Sequence, residues 1–302
     1  MDILKDTKID FIGKRHYAFG LSIILSIMGI IAAVLIPLGK ANLGIDFTGG
    51  MSMQLKFEKS FALEDARKLL DKENFKDAEL QQFAGGNQLL IRFKNAEGEL
   101  KATSDRLTPA FAKGFTDNKF IIESTTAVGP TVGKKLQKDA LWAVGILLLG
   151  ILIYLALRFE LIFGIAAVIA TFHDVLAVLG VFYVLNKEIN LLIITALLTL
   201  AGYSLTDTVV VFDRIRENLR KRGKEVLEDL INRSINEVLS RTIITSGTTL
   251  LVLAALLIAG GEVIHDFSLA LFLGVLVGTY SSIFVASPLL LLWKGKRGRL
   301  IR

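Results

Sequence analysis

Six apolar runs, each long enough to cross a bilayer, constrain this chain more than any other feature. They cover residues 17–38, 140–157, 161–185, 190–212, 242–259 and 267–293. About 20 apolar residues in a helix span the ~30 Å hydrocarbon core, where backbone groups find no water and must be satisfied internally. Membrane helices are therefore the form these runs should take. Of the 302 residues, 52% are hydrophobic and 21% are charged, a balance that fits spans alternating with polar segments and argues against one soluble globule. The absence of cysteine excludes disulfides, thiolate metal sites and cysteine nucleophiles, and leaves the compartment open.

The first run follows Lys5, Lys8, Lys14 and Arg15 and closes on Pro37, Gly39 and Lys40. It is longer than the apolar region of a secretory signal, about 7–15 residues, so residues 1–38 are expected to form a cytoplasmic N-terminus and an uncleaved first span. Arg158, the block from Arg214 to Lys224 with Arg233 and Arg241, and the tail Lys294, Lys296, Arg297, Arg299 and Arg302 all fall on the side of the N-terminus. The opposite short loops carry Lys187 with Glu188, and Glu262 with His265 and Asp266. The positive-inside rule then gives N-in and C-in, with residues 39–138 on the outer side of the membrane. The net charge of +6 is mostly the cationic flanking that topology requires, so no nucleic-acid partner is expected.

Residues 39–138 are polar and large enough for a small folded domain. Strands are expected over 51–57, 80–83, 88–93 and 120–125, and helices over 62–72 and 103–113, with a turn at Gly85, Gly86 and Asn87. The order β-α-β-β-α-β is that of a ferredoxin-like unit. A five-helix bundle should follow over 139–293, with a cytoplasmic connection at 213–240 and a basic tail at 294–302. In that connection Leu227, Leu230, Ile231, Ile235, Val238 and Leu239 recur at helical spacing, which suits an interfacial helix or a packed connection equally. The last run places Gly274 and Gly278 in G-x-x-x-G register, the pattern of close helix packing, within the chain or against a partner.

Polar residues inside the spans are the candidates for chemistry. Asp207 lies in an apolar run beside Thr199, Tyr203, Ser204, Thr206 and Thr208. An Asp at a helix centre costs roughly 2.5–3.5 kcal/mol on insertion scales, so such acids face a bundle interior and mark an ion or proton path. Six residues before Asp213, it sits about 9 Å deeper, at ~1.5 Å per residue, in the cytoplasmic half. A purely structural pairing is the competing reading. Arg241 is the candidate cation, sharing a helix face with Thr245 and Thr248, although simple anchoring explains it as well. His173 and Asp174, in the middle of the third span, suit a polar relay or interhelical hydrogen bonding. Neighbours about 100° apart on a helix are poorly placed to share a metal. There is no P-loop, dinucleotide fingerprint or His-rich metal spacing, and Gly44 to Gly50 reads as a Gly-punctuated turn. The chain is not expected to be an enzyme or to hold a cofactor. Its energy source would be a partner or the membrane gradient, worth about 2.3 kcal/mol per charge per 100 mV.

The stretches LGIDFTGG at 43–50, VGPTVG at 128–133, FHDVLAVLG at 172–180, GYSLTDTVVVFDRIREN at 202–218, RTIITSGTTLL at 241–251 and GTYSSIFVASPLLL at 278–291 closely resemble the SecF family. That family supplies the smaller subunit of the bacterial SecDF protein-export membrane complex and is related in architecture to one half of an RND-type transporter. The resemblance implies a heterodimer with SecD that assists SecYEG, with YajC and YidC as further associates, and uses proton motive force to draw preproteins across the membrane. It implies a proton relay of Asp207, Arg241 and Thr245, with His173 and Asp174 in a less settled role. Gly202 joins the helix-packing glycines, and motion of the spans would reach the periplasmic domain, residues 39–138, through hinges at Gly44, Gly49, Gly50, Gly129, Pro130 and Gly133. Sodium would suit the same carboxylate and hydroxyls. An RND-type small-molecule exporter half and a purely structural assembly subunit are the alternatives.

Overall fold

The computed structural model describes residues 7–36, 38–83, 85–94, 100–221 and 224–293. The basic tail at 294–302 lies outside the described residues. The chain divides into two compact units, one of Met1–Asn42, Trp142–Lys187 and Leu192–Arg302, the other of Leu43–Leu141 with Glu188–Leu191.

In chain order the first unit opens with α1 (Arg15–Leu35), and the second follows with α2 (Ile45–Thr48), β1 (Gly50–Phe57), α3 (Leu63–Lys72), β2 (Glu79–Gln82), β3 (Gln88–Lys94), α4 (Leu100–Gly114) and β4 (Phe120–Val128). The four strands form an antiparallel sheet in the order β2-β3-β1-β4, which is compatible with a ferredoxin-like unit. Alternation determines the faces. Met51, Met53, Leu55 and Phe57 of β1 and Leu89, Ile91 and Phe93 of β3 point into a core closed by Ala66 and Leu70 of α3 and Leu107 and Phe111 of α4. Phe57 anchors it, with ring centroids 4.4 Å from Phe61, 5.0 Å from Phe115 and 5.4 Å from Phe120. Acids in the first turn of α3, Glu64 and Asp65, and Lys72 in its last turn suit the helix dipole. The turn expected around Gly44 to Gly50 contains the single-turn helix α2, so it is more ordered than the glycines alone imply.

The bundle continues with α5 (Pro130–Arg158), α6 (Leu161–Val184), α7 (Leu191–Arg220), α8 (Leu227–Ala259) and α9 (Glu262–Ser281), then a π-helical segment (Ser282–Ala286), α10 (Ser287–Leu289) and a closing 3₁₀ turn (Leu290–Trp293). Six helical stretches among the described residues are long and apolar enough to span a membrane. The expected connection at 213–240 is largely helix: α7 runs on to Arg220, and α8 is unbroken from Leu227. Leu227, Leu230, Ile231, Ile235 and Leu239 are buried with Phe212 and Ile215, so the apolar face of this stretch packs in the core. Against α6, α1 packs closely enough that a Cβ on Gly180 would stand 2.6 Å from Gly29 N, and one on Gly29 would stand 2.2 Å from Leu176 O. Neither glycine was singled out by the sequence pattern.

Polar contacts mark the two ends of the bundle. At one, Arg158 pairs with Asp213 at 3.9 Å, Arg15 with Glu228 at 3.9 Å, and Asn232 and Asn236 hold the backbone of Ile9 and Phe11. At the other, Lys187 pairs with Asp266 at 2.8 Å.

Candidate functional site

Two carboxylates lie inside the bundle, Asp174 on α6 and Asp207 on α7, with 0% and 4% of their surface exposed. Each is met by hydroxyls from neighbouring helices. Asp174 Oδ2 accepts from Ser204 Oγ of α7 and, at 2.8 Å, from Ser281 Oγ of α9, while Oδ1 lies 2.9 Å from His173 Nδ1. Asp207 Oδ2 accepts from Ser246 Oγ of α8 at 3.1 Å, and Ser246 Oγ in turn accepts from Thr279 Oγ1 of α9 at 2.7 Å. Ser204 and Asp207 stand three residues apart on α7, so the two networks adjoin along one helix face. Gly278 permits the approach of α9, since a Cβ there would stand 3.0 Å from Ser204 Cβ. Gly274 does the same against Leu200.

Such an arrangement suits proton handling. A hydroxyl both donates and accepts, so it can solvate a carboxylate and then turn when the acid takes up a proton. His173 adds a ring whose Nε2 is buried without a hydrogen-bond partner among the described residues, as are the hydroxyls of Thr171, Thr208 and Thr242. Among the described residues no group of three or more His, Asp or Glu is arranged to hold a metal.

The sequence reading placed Arg241 and Thr245 on Asp207, and the structure does not bring them into contact with it. Among the described residues no cation lies within ion-pairing distance of Asp207, although Arg241 is near enough for its charge to act there. Arg241 is exposed and lines an open cleft with Thr206, Asp213, Arg214 and Glu237. Thr245 donates to its own helix at Arg241 O, 2.9 Å away. The hydroxyl that reaches the acid belongs to Ser246, about 100° further round α8. Gly202 is exposed, and among the described residues a Cβ there would meet nothing, so it packs against no described helix.

Most of the hinge candidates sit in a tight junction of the second unit. Gly49, at φ 75°, lies against Pro130, Gly133 approaches Phe47 O, and Gly50 lies under Phe93 O. A Cβ would stand 2.9 Å from Pro130 Cα, 2.8 Å from Phe47 O and 2.0 Å from Phe93 O, so these glycines serve close packing and not free rotation. Around Gly129 there is open space. Gly44 is packed on the 188–191 connection, where its N–H donates to Ile189 O at 2.9 Å and Leu191 N–H donates to Asp46 Oδ2 at 2.9 Å. Glu188 pairs there with Arg92 at 2.7 Å. Burial pushes the Glu188 carboxyl above its usual range, and Arg92 and Lys94 only partly offset this.

Residues 110–296 match the model of the protein export membrane protein SecD/SecF C-terminal family, and residues 40–60 match that of the SecD/SecF GG motif. Protein translocase subunit SecF of Thermodesulfovibrio yellowstonii is 54% identical over 294 residues, 97% of each chain. The chain belongs to the SecF family. The SecF of Calditerrivibrio nitroreducens is 44% identical over 98% of each chain. Among solved structures, SecDF of Thermus thermophilus, a translocon-associated membrane protein, superposes with a TM-score of 0.83 at 38% identity. That match covers 96% of this chain and 39% of the SecDF chain. Family membership and six apolar helices make this a multi-pass membrane protein. The SecF GG motif includes Gly49 and Gly50, the glycines of the packed junction, and the C-terminal match takes in both buried carboxylates.

Proposed function

We propose that this chain is a coupling subunit of a Sec-pathway export complex, in which a proton gradient loads and unloads the buried carboxylates of α6 and α7. The observation that carries this is the pair Asp174 and Asp207, buried and held by hydroxyls, with Asp207 free of any ion pair among the described residues. A lone buried acid is costly as an anion, so changes in its protonation carry enough free energy to move packed helices. Protonation of Asp207 would release its contact with Ser246 and its attraction to Arg241, and the helices that supply these groups would shift. The role is one of coupling, without catalysis of bond changes and without a bound cofactor.

SecD is the expected partner. Thr199, Gly202 and Thr206 of α7 and Arg241, Thr245 and Thr248 of α8 are exposed, and small polar positions at membrane depth favour close helix contact over lipid. More than half of the SecDF chain lies outside its match to this one, which fits a complex completed by a second subunit. SecYEG, with YajC and YidC, and the translocating preprotein are the further partners this reading carries, in a bacterial inner membrane with both termini inside. Export of a trapped preprotein into vesicles bearing the complex tests it. A proton gradient should stimulate export beyond the level without one, a sodium gradient doing so instead would reassign the ion, and stimulation by neither would leave a structural subunit.

A further inference from the structure

Both hydroxyls that α9 sends toward the carboxylates have two acceptors. Thr279 Oγ1 lies 2.7 Å from Ser246 Oγ and 2.8 Å from Val275 O of its own helix. Ser281 Oγ lies 2.8 Å from Asp174 Oδ2 and 3.1 Å from Gly278 O. A hydroxyl has one proton, so each donates to one acceptor at a time. An ionised carboxylate is the stronger acceptor and holds the hydroxyl; a protonated one competes poorly with a backbone carbonyl. Thr279 feels Asp207 through Ser246, because donation to Ser246 strengthens the bond that Ser246 donates onward.

The backbone just beyond responds to the choice. Gly278 O already accepts the N–H of Ser282 at the end of α9, so a Ser281 hydroxyl turned to that carbonyl competes with the bond that ends the helix. Residues 282–286 then run as a π-helix, a form that is rare and concentrated at functional sites. Ser282 Oγ donates to Thr279 O at 3.0 Å and Ser287 Oγ to Ser282 O at 2.8 Å, which ties the segment to the two hydroxyl-bearing turns. The groups facing the acids are known on each side: Ser246 and the more distant Arg241 for Asp207; His173, Ser204 and Ser281 for Asp174.

We infer that Thr279 and Ser281 are positioning residues that read the charge of Asp207 and Asp174 and convert it into the register of the π-helical segment Ser282–Ala286. This deepens the coupling role proposed above and rests on Asp207 and Asp174 being its protonatable groups. In that role α9 is the common reader of the two acids, and neutralising either one loosens the same stretch of backbone.

The test is amide hydrogen exchange of residues 282–286 in the full chain with its SecD partner in lipid nanodiscs, using Asn to mimic each neutral acid. Asp174→Asn and Asp207→Asn should each speed exchange there severalfold. The Asp174→Asn effect should vanish in a Ser281→Ala background, and the Asp207→Asn effect in a Thr279→Val background. Ser281→Thr and Thr279→Ser keep the hydroxyl and should keep the response, which separates charge reading from loss of packing. Equal effects with and without the hydroxyls would overturn the inference, as would Asp→Asn variants that leave exchange unchanged. Exchange is read without export, so failure of gradient coupling and failure of this inference show up in different measurements.

Discussion

The domain and the bundle solve burial in opposite ways. In the domain, Met51, Met53, Leu55, Phe57, Leu89 and Ile91 are inside, while the ion pairs of Lys56 with Glu123 and Lys94 with Glu79 lie on its surface. In the bundle, Ile23, Ile24, Trp142, Ile146, Leu251 and Ile258 are exposed, while Asp174, Asp207, Ser204, Ser246, Ser281 and Ser282 are buried. Hydrophobicity therefore says where a domain residue goes and says little for a bundle residue, because lipid accepts an apolar side chain as readily as the protein interior does. In the bundle, small and polar residues carry the positional information.

Truncation of apolar side chains should separate the two regions most sharply. Phe57→Ala in the domain core should cost about 3–5 kcal/mol, read as increased amide exchange across β1 and β3. Leu251→Ala, at 72% exposure on the bundle, should leave exchange in α8 nearly unchanged. A large effect at Leu251 in the isolated chain would break the contrast.

Next in size is a substitution that adds apolar surface to the bundle. Gly180→Val gains hydrophobicity, yet it should separate α1 from α6 and lower the thermal midpoint, because the Cβ would meet Gly29 N at 2.6 Å. A midpoint equal to that of the native chain would show that the helices can move apart freely.

The smallest effect is expected at a carboxyl that is largely enclosed and partly offset by cations. The Glu188 carboxyl is raised by burial, so the folded state binds its proton more tightly than the unfolded chain does. Its contribution should favour the fold on the acid side and decline as pH rises from the ordinary carboxylate pKa through the raised one. Glu188→Gln should flatten that slope in the unfolding of the domain unit, followed by pulse proteolysis of the full chain. An unchanged slope would place the titration elsewhere.

Much of the domain was legible because alternation and helical spacing act locally: β1, α3, β3 and α4 lie within a few residues of their expected bounds. Asp207 and Asp174 were legible for a different reason, since a carboxylate in an apolar run is conspicuous wherever its partner sits. The partners were not. Ser246, Thr279 and Ser281 look like the many span hydroxyls that bond their own helix, as Thr245 and Thr199 do, and which helix face meets a neighbour is a property of the packed bundle. The pairings of Asp46 and Glu188 were not legible because their partners, Leu191 N–H and Arg92, are remote in sequence. The length of α8 was hidden by its charged first turns, which read as a connection until Leu227 and Ile231 are seen buried.

The most direct test of the coupling role is gradient-stimulated preprotein export in vesicles carrying either the native chain or Asp207→Asn, assembled to equal levels with SecD. The account predicts that Asn at this position abolishes the part of export that depends on the proton gradient and spares the part that does not. Full gradient stimulation in the Asp207→Asn vesicles would contradict it.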